Sequence, residues 1–110
     1  MIEIESLNEK LIVYNCVYSI HLDVDVDTLQ YNLLLTLTES EDFYTPKFQL
    51  HFLDISDLKV ADVGGGLTQF MHLQINSVND GLERNSYRLI DCEENKVSFN
   101  FYDVKELLEN

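Results

Sequence analysis

Three aspartates at alternate positions, Asp23, Asp25 and Asp27, are the residues whose type and spacing come closest to chemistry. In an extended strand, side chains two apart share a face and lie about 7 Å from one another. That is wider than the shell of a single calcium ion, whose oxygen ligands sit about 2.3–2.6 Å from the metal. The run also lacks the central glycine and distal glutamate of an EF-hand loop. A turn at Asp27 would draw two of the carboxylates together, so a small-ligand or divalent-metal site on Asp23, Asp25 and Asp27 is one reading. The others are a solvated strand face and, with His21 alongside, a surface that meets a basic partner.

The remaining reactive residues do not assemble into a known catalytic pattern. His21, His51 and His72 fall on three different strands, and no His-x-x-x-His or Cys-x-x-Cys pair gives them metal-ligand spacing, so no metal site is expected of them. Cys16 and Cys92 occupy apolar-alternating positions and read as two reduced, buried thiols. Gly64, Gly65 and Gly66 are not followed by Lys-Ser/Thr, which excludes a phosphate loop and leaves a bulge or wide turn. There is no Gly-x-Ser-x-Gly elbow. Carboxylates are so numerous that no pair of them singles itself out as acid and base. The expectation is a protein that is not an enzyme and needs no cofactor.

Charge is the stronger signal. Twenty acidic residues oppose seven basic ones among 110, for a formal net charge of −13. The imbalance is concentrated: residues 11–46 contain no Lys or Arg, yet hold Asp23, Asp25, Asp27, Glu39, Glu41 and Asp42. Such a field disfavours nucleic acid and anionic membranes and attracts basic proteins. A hydrophobic content of 45% argues against disorder. The length suits a single domain over residues 1–110. The N-terminal residues lack a basic segment followed by an apolar one, and no apolar run approaches the ~20 residues of a membrane span, so a cytoplasmic protein is expected.

The elements that must position these residues follow a period of two. Over residues 12–26, Tyr14, Cys16, Tyr18, Ile20, Leu22, Val24 and Val26 alternate with mostly polar neighbours, Val17 being the exception. Such a strand would be about 50 Å long, too long for this chain, so a bend, a bulge or a break into two consecutive strands is predicted near Ser19. Further strands are predicted over 30–38, 47–53, 69–78, 87–92 and 97–102. Turns are expected at Asp27-Thr28, at Asn79-Asp80-Gly81 and at 93–96, with Asn95 left-handed. Asp103 with Glu106 three residues on resembles a capping box, which predicts a short C-terminal helix; a first helical turn near Ser6 follows the same logic. The fold class is therefore mostly β: an antiparallel meander of six or seven strands, curled or half-barrelled, with one terminal helix. A sheet face too large for that helix to cover leaves a homodimer open as an alternative.

Two motifs in the second half carry a resemblance. They are F-x-x-I-x-D-L, from Phe52 to Leu58, and Y-x-x-x-D-x-E-x-x-x-V-x-F, from Tyr87 to Phe99, with the glycine cluster between them. Across residues 48–101 the chain resembles small acidic bacterial proteins, some of which look like immunity proteins of polymorphic toxins. The resemblance implies a non-enzymatic inhibitor of a basic toxin. Charge independently places the partner surface at His21, Asp23, Asp25 and Asp27, with Glu39, Glu41 and Asp42 from the adjoining loop.

Overall fold

Alternation in the sequence becomes strand in the structure. The computed structural model describes residues 3–39, 47–70, 72–78 and 87–107. In chain order these form α1 (Ile4–Val13), β1 (Cys16–Val24), β2 (Tyr31–Thr38), β3 (Phe48–Leu53), β4 (Ser56–Val60), β5 (Leu73–Ser77), β6 (Tyr87–Asp91), β7 (Val97–Phe101) and β8 (Asp103–Leu107). The strands make two four-stranded antiparallel sheets, ordered β1-β2-β3-β8 and β4-β7-β6-β5. Both sheets contribute to one apolar core: Leu33, Leu35, Leu37, Phe48, Leu50 and Phe52 from the first, Leu73, Ile75, Leu89, Val97, Phe99 and Phe101 from the second.

The sheets are joined by a single bent ribbon. β3 runs into β4 through Asp54 and Ile55, while β7 runs into β8 through Tyr102. The pairing keeps its register through this corner, since Leu53 faces Asp103 and Ser56 faces Asn100. Asp54 takes a left-handed φ of 52° there. Its N–H donates to the Asn32 side chain at 3.0 Å, and the next N–H, from Ile55, donates to the Tyr31 carbonyl at 2.8 Å. The bend thus leaves neither donor without an acceptor. Phe52 sits inside it, edge-on to Phe99 at 4.9 Å and to Phe101 at 4.8 Å between ring centroids, in the T-shaped arrangement that aromatic quadrupoles favour.

Three expectations are corrected. The chain is a two-sheet arrangement of eight described strands, not a six- or seven-stranded meander; β4 and β8 are the additional strands. No helix forms over 103–107. That segment pairs with β3 instead, because a short helix there would leave β3 without a neighbour on that side. The helix is N-terminal and longer than one turn. α1 buries Leu7 and Leu11, one turn apart, and claims Ile12 and Val13, which sequence phase had assigned to the first strand.

α1 also seals one side of the molecule. The Asn8 side chain accepts the Ile75 N–H at 2.7 Å and donates to the Ile75 carbonyl at 3.0 Å, so one amide imitates a neighbouring strand along β5. Lys10 meets both Glu106 oxygens at 2.8 and 2.9 Å and lies over the Phe48 ring, which ties the helix to β8. Among the described residues, no helix is long and apolar enough to cross a membrane.

Phe52→Ala is expected to cost about 3–5 kcal/mol, because the aromatic contacts at the corner collapse into a void. Urea unfolding with an unchanged slope would show this.

Candidate functional site

The acidic run sits where β1 turns into β2. Asp25 closes that turn by itself: its Oδ1 accepts the N–H of Asp27 at 2.9 Å and of Thr28 at 3.4 Å, while its N–H donates to the Gln30 carbonyl at 2.8 Å. This is the Asx-type role for which a short carboxylate is suited. Leu29 completes the turn at φ 60°, a region that a bulky aliphatic residue seldom occupies, with its side chain in solvent. Asp23 projects from the outer face beside His21, with 3.8 Å between Oδ2 and Nε2. Among the described residues, no Lys or Arg pairs with Asp23, Asp25 or Asp27; Lys10 and Lys96 are engaged with Glu106 and Glu94.

The structure divides the rest of the expected surface. Glu39 follows the far end of β2, about 25 Å along the strand from the Asp25 turn at about 3.3 Å per residue. It therefore belongs to the opposite end of the hairpin from Asp23, Asp25 and Asp27. Glu41 and Asp42 lie outside the described residues, as does the expected turn at 79–81. His21 and His51 share the outer face but are separated by β2, with Leu34 between them. His72 is exposed ahead of β5. Among the described residues, no three His, Cys, Asp or Glu groups are arranged to hold a metal ion.

An apolar surface accompanies the acids and was not expected. Alternation had assigned Leu22, Val24 and Val26 to a core face, but the structure leaves them largely in solvent. Leu22 is 46% exposed, Val26 78% and Leu29 74%, with Tyr31 and Tyr18 also half in solvent. Leu33, the cross-strand partner of Leu22, is fully buried, so the edge of the core runs along β1 itself. Two open clefts flank this strand. One, of about 500 Å³, lies between Tyr18–Ile20 and the loop of Val63, Gly64 and Leu67. The other, of about 320 Å³, lies between Leu22, Tyr31 and Leu58. The available signal was Leu29, an aliphatic residue placed within a turn.

The bulge falls where predicted, between Val17 and Ser19, and it explains Val17. Before the bulge the odd residue faces the core opposite Leu37; after it the even ones do. The glycine cluster forms part of the long loop after β4, with all three glycines at positive φ. Asn95 is left-handed as expected, φ 53°. Both cysteines are free thiols, but only Cys16 is buried. Cys92 is exposed, because it opens the β6–β7 turn rather than continuing the strand.

Both sequence motifs have structural employment. Phe52 and Ile55 fill the ribbon corner, and Asp57, at φ 56°, occupies the irregular pairing between Ser56 and Lys59. Asp91 is fully buried and accepts the N–H groups of His72 and Lys96 on its two carboxylate oxygens, each at 3.3 Å. It fastens the β6–β7 turn to the segment before β5.

Comparison of the chain with protein-family models, with curated proteins and with solved structures gives no match.

Asp25→Ala is expected to lower the thermal midpoint by about 2–5 °C, because it unfastens the turn. Asp27→Ala, which removes a carboxylate with no such contact, should leave the midpoint within about 1 °C. Calorimetric scans of the two variants distinguish a turn-forming acid from one present only for its charge.

Proposed function

We propose that this chain is a non-enzymatic protein-binding module that offers the β1–β2 hairpin to a basic partner, and that its sharpest form is an immunity-like inhibitor of a basic toxin in the cytoplasm. One observation carries the reading. The hairpin end that projects Asp23, Asp25 and Asp27 also leaves Leu22, Val24, Val26 and Leu29 uncovered. Acids alone describe a solvated face, and scattered apolar residues are ordinary. An apolar strip beside carboxylates that no Lys or Arg pairs with among the described residues is the composition of an interface, with desolvated anchors at its centre and charges at its rim.

The two parts have different tasks. A net charge of −13 speeds encounter with a cation and sets orientation. The aliphatic strip then holds the partner, since apolar area governs dissociation more than approach. The strained Leu29 supports the same reading, because backbone strain persists where a side chain must be displayed. A metal-binding role for Asp23, Asp25 and Asp27 is less well supported, since Asp25 is already bonded to the backbone of its own turn.

The test is association kinetics against basic proteins, beginning with any that is encoded next to this chain. The association rate is expected to fall at least tenfold between about 50 mM and about 500 mM salt. Asp23→Lys with Asp27→Lys should slow association, while Leu29→Ser should speed dissociation. Binding that is indifferent to salt and to all three changes would overturn the proposal.

A further inference from the structure

The Asp25–Gln30 hydrogen bond fixes the parity of β1. In an antiparallel ladder, residues alternate between pointing their backbone groups at the neighbour and away from it. Asp25 points towards β2, so Asp23 and His21 do as well. Ile20, Leu22 and Val24 turn their N–H and C=O groups to the open side of the sheet. Before the bulge this side is occupied: Val17 N–H donates to the Thr68 carbonyl at 2.9 Å, and Asn15 carbonyl accepts from Phe70 N–H at 2.8 Å. After the bulge, among the described residues, no other segment meets these outward groups. Val24 N–H is held only by the neighbouring Asp23 Oδ1, at 2.9 Å.

We infer that this free edge pairs with the same edge of a second copy, antiparallel about a two-fold axis at Leu22. The sequence Ile20-His21-Leu22-Asp23-Val24 is chemically self-complementary about its centre. Pairing on Leu22 sets Ile20 against Val24 of the other copy on the inner face. On the outer face it sets each His21 against the opposite Asp23, twice per dimer, with Ser19 against Asp25. No two acids stand directly opposed.

The alternatives that preserve backbone parity are worse. An axis at Val24 would oppose Asp23 to Asp25, and like charges directly across a ladder repel. An axis at Ile20 would drive the second copy into residues 68–70, which already cover Val17. The chosen register also extends beyond the ladder. It brings Val26, the most exposed aliphatic residue of the turn, opposite Tyr18 of the other copy and beside the cleft between Tyr18, Ile20, Val63 and Leu67. On pairing, Val24 N–H exchanges the Asp23 carboxylate for the Ile20 carbonyl across the axis, which releases Asp23 to face His21.

This contact draws on Leu22, Asp23, Val24 and Val26, which the proposed basic partner would also cover, and salt separates the two readings. Two copies of charge −13 repel, so screening should strengthen self-pairing while it weakens capture of a cation. Sedimentation equilibrium at low and high salt reads the sign. Dimer that increases with salt is expected. Leu22→Lys, at a half-exposed position outside the core cluster, should give a monomer with an unchanged far-ultraviolet spectrum and melting midpoint. His21→Asp should weaken the dimer about tenfold or more, by opposing two acids twice. Adding Asp23→His to that variant exchanges the partners and should restore the dimer to within about threefold. A monomer at millimolar concentration in high salt overturns the inference. So does a dimer that ignores Leu22→Lys, or that the exchange does not rescue. Binding of a synthetic Lys-Val-Lys-Val-Lys strand by a protein that stays monomeric would assign the edge to a cationic partner and overturn self-pairing as well.

Discussion

The fold depends on one constraint: two chain segments, 48–60 and 97–107, must stay paired while they turn from one sheet into the other. Because the pairing keeps its register through the corner, the sheets cannot slide independently, and their inner faces meet with Phe52 against Phe99 and Phe101. β2 and β1 then add to one side of the ribbon and β6 and β5 to the other. Every inward residue that these flanking strands bury is placed by a decision made at residues 53–56.

The same constraint explains why the apolar and acidic surfaces coincide. The ribbon fixes how far the second sheet extends, and it stops short of the β1–β2 turn. The inner face of the hairpin continues past that limit, carrying aliphatic side chains into water, while the outer face carries Asp23 beside His21 near the turn. Polar satisfaction elsewhere is complete: no buried side-chain nitrogen or oxygen among the described residues lacks a hydrogen-bond partner. Val26 and Leu29, with Ile12, are the most exposed large apolar residues described.

Much of this was legible in the chain. Six strands, the bulge beside Ser19 and the left-handed Asn95 follow from alternation and turn chemistry, which are local. The division into two sheets was not, because the corner at Asp54 has neither Gly nor Pro to announce it. Asp103 and Glu106 imitate a helix cap, but Asp103 Oδ1 instead accepts the adjacent Val104 N–H at 2.9 Å within a strand. Ile12 and Tyr14 continued a strand pattern by coincidence of phase, and the turn-spaced Leu7 and Leu11 decided the matter. At the site, the exposure of the acids was readable. The separation of Glu39 from them depends on strand direction, and the bareness of Leu22 depends on where a distant sheet ends; neither is encoded locally.

Asn8 gives the molecule a sense of handed access. By occupying both backbone groups of Ile75 with a single side-chain amide, it takes the place that a stacking neighbour would need along β5. With that rim taken, strand addition is blocked at β5, whereas β1, β4 and β8 remain outer strands of their sheets.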